Sequence, residues 1–174
     1  MDELVMAMPC REFIAIRGFS AKIDLAILDS IQDDTWFTIP AAVQADPLAV
    51  IVHVGLLVLC GDQVLISNDG RIVQHATVPP EALSSKSGLA ALKALTEQRC
   101  QEMLRTRGRV ELAGLIHEPK LLPRQVLLVY RCVIPPGTPV AMGTWQPVAE
   151  ICDDPNRDWV DQAVLPAIPR AKPT

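Results

Sequence analysis

Ala49 to Cys60 is a nearly unbroken run of Val, Ile and Leu, and it constrains the fold more than any other feature of the chain. A strand with one wet face alternates apolar and polar side chains, whereas one that does not alternate must be covered on both faces. The segment is therefore expected to be a central strand with cover on either side. Extended back to Leu48 and interrupted by His53, it is too short for a helix that must cross about 30 Å of hydrocarbon. No transmembrane segment is expected. Gly61-Asp62 supplies a tight turn into a hairpin partner at Val64 to Ser67, Asn68-Asp69-Gly70 supplies a second turn, and Arg71 to Val78 reads as a third strand.

After Pro79-Pro80 and a polar loop from Ser84 to Ser87, the best periodic segment is a helix over about Leu89 to Arg105. At 100° per residue, Leu89, Leu92, Thr96, Cys100 and Met103 form one stripe that should pack on the sheet, and Gly108 stands where a C-terminal cap belongs. Val110 to Ile116 and Gln125 to Ile134 read as two more strands, joined by the Pro119 to Pro123 loop. A last helix is expected around Trp159 to Leu165, stopped by Pro166. Upstream, Arg11 to Gly18 reads as a short strand, and Ser20 as the cap of a helix carrying Leu25, Ile27, Leu28 and Ile31. Asp33 to Pro47 reads as an ordered connection that holds Trp36 and Phe37. The expected organisation is an N-terminal extension, residues 1–47, packed on a domain of residues 48–174 as one structural unit. The fold class is α/β.

With 16 Lys plus Arg against 20 Asp plus Glu, the net charge of −4 opposes a broad grip on nucleic acid or an anionic membrane. Five cysteines lie 50, 40, 32 and 20 residues apart, with no close pair to clamp a metal. Free thiols, together with a start that carries Asp2 and Glu3 rather than a basic segment, lead to the expectation of a cytoplasmic protein. The sequence holds no Gly-x-Ser-x-Gly elbow, phosphate loop or dinucleotide fingerprint.

A buried strand and hairpin, a long helix, two strands, a Trp-containing segment and a final helix together resemble the Nudix fold, an α/β/α sandwich with a mixed sheet, over about Leu48 to Pro166. The opening residues Pro9, Arg11, Glu12, Phe13, Gly18 and Phe19 resemble the N-terminal extension of a MutT-related group of predicted phosphoesterases. The signature of the family runs Gly, five residues, Glu, seven residues, Arg-Glu-hydrophobic-x-Glu-Glu-x-Gly-hydrophobic. With its last glycine on Gly108, Glu102 and Met103 match, while Gln101 replaces the arginine. Arg105 and Thr106 fall on the glutamate pair, Lys93 on the earlier glutamate, Ser87 on the opening glycine and Arg109 on the closing hydrophobic position.

The resemblance implies a Mg²⁺- or Mn²⁺-dependent pyrophosphohydrolase, whose helix carboxylates neutralise phosphate charge and activate water. Here that cluster is reduced to Glu102, with cations where the ion should sit. Standard hydrolysis and a resident cofactor are accordingly not expected. The expectation is a noncatalytic domain that binds a nucleotide-like or phosphorylated ligand, or a protein partner, with Lys93, Arg105 and Arg109 as candidate ligand-binding residues. The alternative is a divergent hydrolase or phosphoesterase acting on a nucleoside diphosphate derivative, with a Mg²⁺ or Mn²⁺ site rebuilt from Glu102, the metal candidate, and with Glu102, Glu97, His117, Glu118 and Glu150 as catalytic candidates. Glu97 lies about 140° around the helix from Glu102. Glu102 has a plainer role open to it, a solvated pair with Arg105 at i+3. Lys93, Arg99, Arg105, Arg107 and Arg109 form a basic run that is either a phosphate site or a solvated face. His53 reads as a neutral, hydrogen-bonded core histidine, and Trp145 and Trp159 as core residues. An exposed Trp36-Phe37 pair would suit a homodimer contact, and a filled cleft would leave a purely structural module.

Overall fold

The computed structural model describes residues 2–83, 87–106 and 108–169. In chain order the strands are β1 (Val5–Pro9), β2 (Gly18–Ser20), β3 (Trp36–Thr38), β4 (Ala49–Cys60), β5 (Gln63–Ile66), β6 (Val73–Thr77), β7 (Val110–His117), β8 (Gln125–Val133) and β9 (Thr144–Pro147). The helices are α1 (Leu25–Asp33), α2 (Pro40–Ala45), α3 (Gly88–Leu104), α4 (Val148–Cys152) and α5 (Trp159–Val164). The apolar run is the centre of the molecule. β4 pairs in parallel with β8 along one edge, and its other edge is shared in succession by β1, β6 and β5, all antiparallel. The main path of the mixed sheet is β2-β7-β8-β4-β1-β3, with β9 added on β5.

Because side chains alternate across a strand, β4 feeds two cores. Val54, Leu56 and Val58 pack with Leu92, Cys100, Met103 and Leu104 of α3, and with Ile27 and Ile31 of α1. Leu57 and Leu59 on the opposite face pack with Val160 and Val164 of α5 and with Ala167 and Ile168 after it. Helices therefore cover both faces, as an α/β sandwich requires. Leu92 has no exposed surface, and removing it from water contributes roughly 2 kcal/mol.

Several local expectations need correction. The strand expected over Arg11 to Gly18 is instead a 3₁₀ turn at Arg11–Phe13 followed by β2. The N-terminal strand that pairs with β4 is β1, whose Val5, Met6, Ala7 and Met8 are all buried between β4 and β3 and so show no alternation. Ser20 does not cap α1. It lies in β2, its hydroxyl donates to the Lys22 carbonyl, and the helix begins after Asp24. The connection from Asp33 to Pro47 contains β3, an edge strand, and α2. The C-cap of α3 is Arg105 in the left-handed conformation at φ 55°, donating its N–H to the Gln101 carbonyl at 2.8 Å, and not Gly108. Gly108 answers a packing need, since a Cβ there would overlap the sulfurs of both Cys100 and Cys132. The loop expected at Ser84 to Ser87 lies, except for Ser87, outside the described residues.

Trp145 and Trp159 are half-buried against the two cores. Trp36 is 38% exposed on the edge strand, and Phe37 is half-buried. His53 differs from expectation in one respect, because its Nε2 is enclosed with no hydrogen-bond partner. Among the described residues, no helix is long and apolar enough to cross a membrane.

Candidate functional site

The Asn68-Asp69-Gly70 turn between β5 and β6 is built by short-range hydrogen bonds. The Ser67 N–H donates to the Arg71 carbonyl at 2.9 Å, the Arg71 N–H donates to the Ser67 hydroxyl oxygen at 3.0 Å, and that hydroxyl donates to Asp69 Oδ1. Gly70 takes φ +82°, a conformation that glycine adopts without a steric penalty. The Ser67 hydroxyl holds the Asp69 carboxyl below the usual carboxylate range, with Arg71 adding a smaller push in the same direction. Asp69 is therefore an anion at neutral pH.

Facing this turn is one flank of α3. Arg99 and Glu102, three positions apart, stand beside the buried stripe of Leu92, Thr96, Cys100 and Met103, and Met103 at its end also borders the cleft. The loop before β9 closes the third side. The Ala141 N–H donates to the Met103 carbonyl at 2.7 Å, satisfying an acceptor that the helix end leaves free, and the Gly143 N–H donates to Asn68 Oδ1 at 3.2 Å. Met142, between these anchors, is 47% exposed and offers an apolar surface.

The result is a cleft of about 320 Å³ whose lining includes Asp69, Gln74, His75, Arg99, Glu102 and Met142. Arg99 Nη1 lies 3.8 Å from Glu102 Oε2, with both side chains about half exposed, and Gln98 Nε2 donates to Glu102 Oε1 at 3.4 Å. In water such a pair contributes well under about 1 kcal/mol to stability, so it leaves both groups available to a ligand. The His75 imidazole has its pKa lowered, first by burial against the sheet and then by Arg71, against smaller opposing pulls from Asp161, Asp158 and Asp69. By the alternation of β6 its imidazole lies with Val73 on the α5 face, whereas Ala76 and Gln74 fall on the cleft side.

Of the candidate residues named from the sequence, Glu102 reaches this cleft, and so does Arg99 of the basic run. The partner of Glu102 is Arg99 rather than Arg105, because α3 ends at Leu104 and the left-handed Arg105 has left the helical path. Glu97, on another side of α3, faces the Cys100 and Cys132 thiols, whose ionisation its charge opposes. His117 is buried, its Nδ1–H donates to the Ile16 carbonyl at 3.0 Å, and its ring lies 5.7 Å from that of Phe13. That histidine clamps the N-terminal segment to β7. Glu118 accepts from the Lys120 N–H in the β7–β8 loop, and Glu150 is exposed on α4. Lys93, Arg105 and Arg109 are exposed and do not line the cleft. Arg107 lies outside the described residues.

Ser67, Asp69, Gln74 and Met142 are site residues that sequence reasoning missed. The Asn-Asp-Gly turn was visible in the sequence, but nothing in it said that the turn would face α3. A larger cavity of about 630 Å³ beside α4 is lined by Pro147, Val148, Ala149 and Cys152 with the carboxylates Asp62 and Asp153, and among the described residues it has no cation in its wall. Its volume is greater, yet its two carboxylates have no cation beside them among the described residues to pair a phosphate.

The cleft suits a structural divalent ion poorly. Its carboxylates are Asp69, held by Ser67, and Glu102, held by a guanidinium that already supplies the positive charge. Among the described residues, no group of three or more His, Cys, Asp or Glu side chains converges to hold a metal.

No family model matches the chain, and no curated protein matches it. Twelve solved chains do match, among them Tm1382, described as "a putative Nudix hydrolase", with a TM-score of 0.75 at 14% sequence identity over 94% of this chain and 97% of that one. At that identity the likeness speaks for architecture alone. The chain has a Nudix-like fold.

Proposed function

We propose that this chain is a Nudix-fold binding domain, holding a small nucleotide-like ligand in the cleft between α3 and the β5–β6 turn without hydrolysing it. The observation that carries this reading is the charge arrangement at Glu102: among the described residues the only cation in the lining of the cleft is Arg99, a side chain of the protein itself, and Asp69 is the second carboxylate. Such a wall lacks the carboxylate cluster that pyrophosphate hydrolysis requires but keeps selective contacts. Arg99 can donate two parallel hydrogen bonds to one phosphate group. Asp69 and Glu102 accept from sugar hydroxyls or base amino groups, and Met103 with Met142 gives a polarizable surface for a flat ring.

Two carboxylates in one wall favour a molecule with several donors and a single phosphate over a polyphosphate, which they would repel. The test is a thermal-shift panel of nucleosides, nucleoside monophosphates and diphosphate conjugates with the full chain. A ligand that prefers the folded state raises the Tm in a concentration-dependent way. The reading expects a shift for a monophosphate that is weakened by about tenfold or more in affinity in Arg99→Ala, given the usual strength of hydrogen bonds to charged groups. No shift across the panel, or one indifferent to Arg99→Ala, removes the support.

A further inference from the structure

Cys100 on α3 and Cys132 on β8 are fully buried free thiols whose sulfurs are hydrogen-bonded at 3.2 Å. They lie 32 residues apart in sequence and meet where the cleft helix packs on the sheet. Over them runs Gly108, where even a single methyl group would overlap both sulfurs. The cover at that point is thus bare backbone. Five cysteines are present, but the other three, Cys10, Cys60 and Cys152, are only half-buried and have no thiol partner.

We propose that Cys100 and Cys132 form an oxidisable dithiol, a modification site at which a small hydroperoxide closes a disulfide between α3 and the central sheet. A disulfide needs the sulfurs at about 2.05 Å, so closure asks for a movement of roughly one ångström. Its hydrogen bond with Cys132 holds the Cys100 thiol below its ordinary range, against burial and the nearby Glu97. The same bond, with burial, pushes Cys132 upward. The contact lets either sulfur attack first and the other resolve, and Cys100 is taken as the attacking thiol.

With hydrogen peroxide, the Cys100 thiolate attacks one oxygen and the O–O bond breaks, giving Cys100 sulfenic acid and, after protonation, one water. The Cys132 sulfur then attacks the Cys100 sulfur. The S–O bond breaks, the Cys132 proton leaves with the departing oxygen, and a second water forms. Two thiols have lost two electrons and two protons, and one peroxide has been reduced to two waters. The inference is independent of the ligand assignment. Its structural consequence falls on the cleft all the same, because Cys100 precedes Glu102 and Met103 in the last turns of α3.

The test uses the reduced full chain, treated with about one equivalent of hydrogen peroxide, alkylated and weighed intact. The expected product carries three alkyl groups rather than five and has lost two hydrogens. In a tryptic digest, cleavage after Arg99 and Arg131 joins the peptide that starts at Cys100 to the one that starts at Cys132, with Cys152 on the second peptide still alkylated. The Tm should rise by about 5–10 °C, as a cross-link closing a loop of this length predicts, and fall again on reduction. Five alkyl groups after treatment, a cross-link between other cysteines, or sulfinic acid on Cys100 without a cross-link would each overturn the proposal. So would a cross-link that survives in Cys100→Ser. If that variant fails to fold, Cys132→Ser and the wild-type peptide map decide.

Discussion

The two faces of the sheet treat their acidic side chains in opposite ways. On the α5 face, Asp161 is 1% exposed and accepts from the backbone N–H groups of Ile72 at 3.1 Å and Val73 at 3.3 Å, where β6 begins. On the α3 face, Glu102 is half exposed, its nearest cation 3.8 Å away. The first carboxylate is committed to the fold, since its removal strands two buried donors. The second is committed to nothing that stability needs, which is the condition of a group left free for a ligand. A buried acid of the first kind draws attention when charges are counted, yet the loosely held one marks the site.

The largest effect expected is on Asp161→Ala, which should lower unfolding free energy by about 3 kcal/mol through the two stranded N–H groups. Urea titration reads this directly, and a loss under 1 kcal/mol would erase the contrast between the faces. Next comes Arg99→Ala. Ligand affinity should fall by about tenfold or more while the urea midpoint hardly moves. A large stability loss would instead make the α3 flank part of the scaffold.

Third is acid sensitivity on the α5 face. His53 has its pKa lowered by burial and then by the neighbouring His75, and His75 is lowered chiefly by burial. When folded values lie below the ordinary 6.5, the unfolded chain takes up the protons first. Stability from these groups is complete above 6.5 and is lost as pH falls through that value toward the folded ones. Asp161, raised by burial against the pull of its two N–H donors, acts in the opposite sense at lower pH, so the informative quantity is a difference. Tm measured from pH 7.5 to pH 5.5 should fall less in His53→Asn than in the wild type. Equal slopes would mean that His53 takes up its proton alike in both states. The smallest effect is that of Glu102→Gln on stability, within about 0.5 kcal/mol of wild type as for other exposed pairs.

What could be read in the sequence followed from how local each signal is. β4 announced itself because twelve consecutive positions share one environment, and α3 because Leu92, Thr96, Cys100 and Met103 repeat at helical spacing. β1 was missed because Val-Met-Ala-Met is short and buried on both faces, so it carries no period. Gly108 was read as a cap, because a glycine after a helix ordinarily serves the backbone; its need comes from two sulfurs, one of them on a distant strand. Asp161 reaches a strand 89 positions away, and Asp69 shares a wall with Glu102 from another element. Neither juxtaposition has a trace in local spacing. Glu102 was found through a motif and Arg99 only as one charge in a basic run, although together they make the cleft what it is.

The central claim is that the cleft binds and does not cut. Its most direct test is incubation of wild type and Glu102→Gln with nucleoside diphosphate conjugates and Mg²⁺ or Mn²⁺, reading phosphate and nucleotide products over many enzyme equivalents of substrate. The account predicts no product above the buffer rate for either protein. Turnover by the wild type that disappears in Glu102→Gln would contradict it.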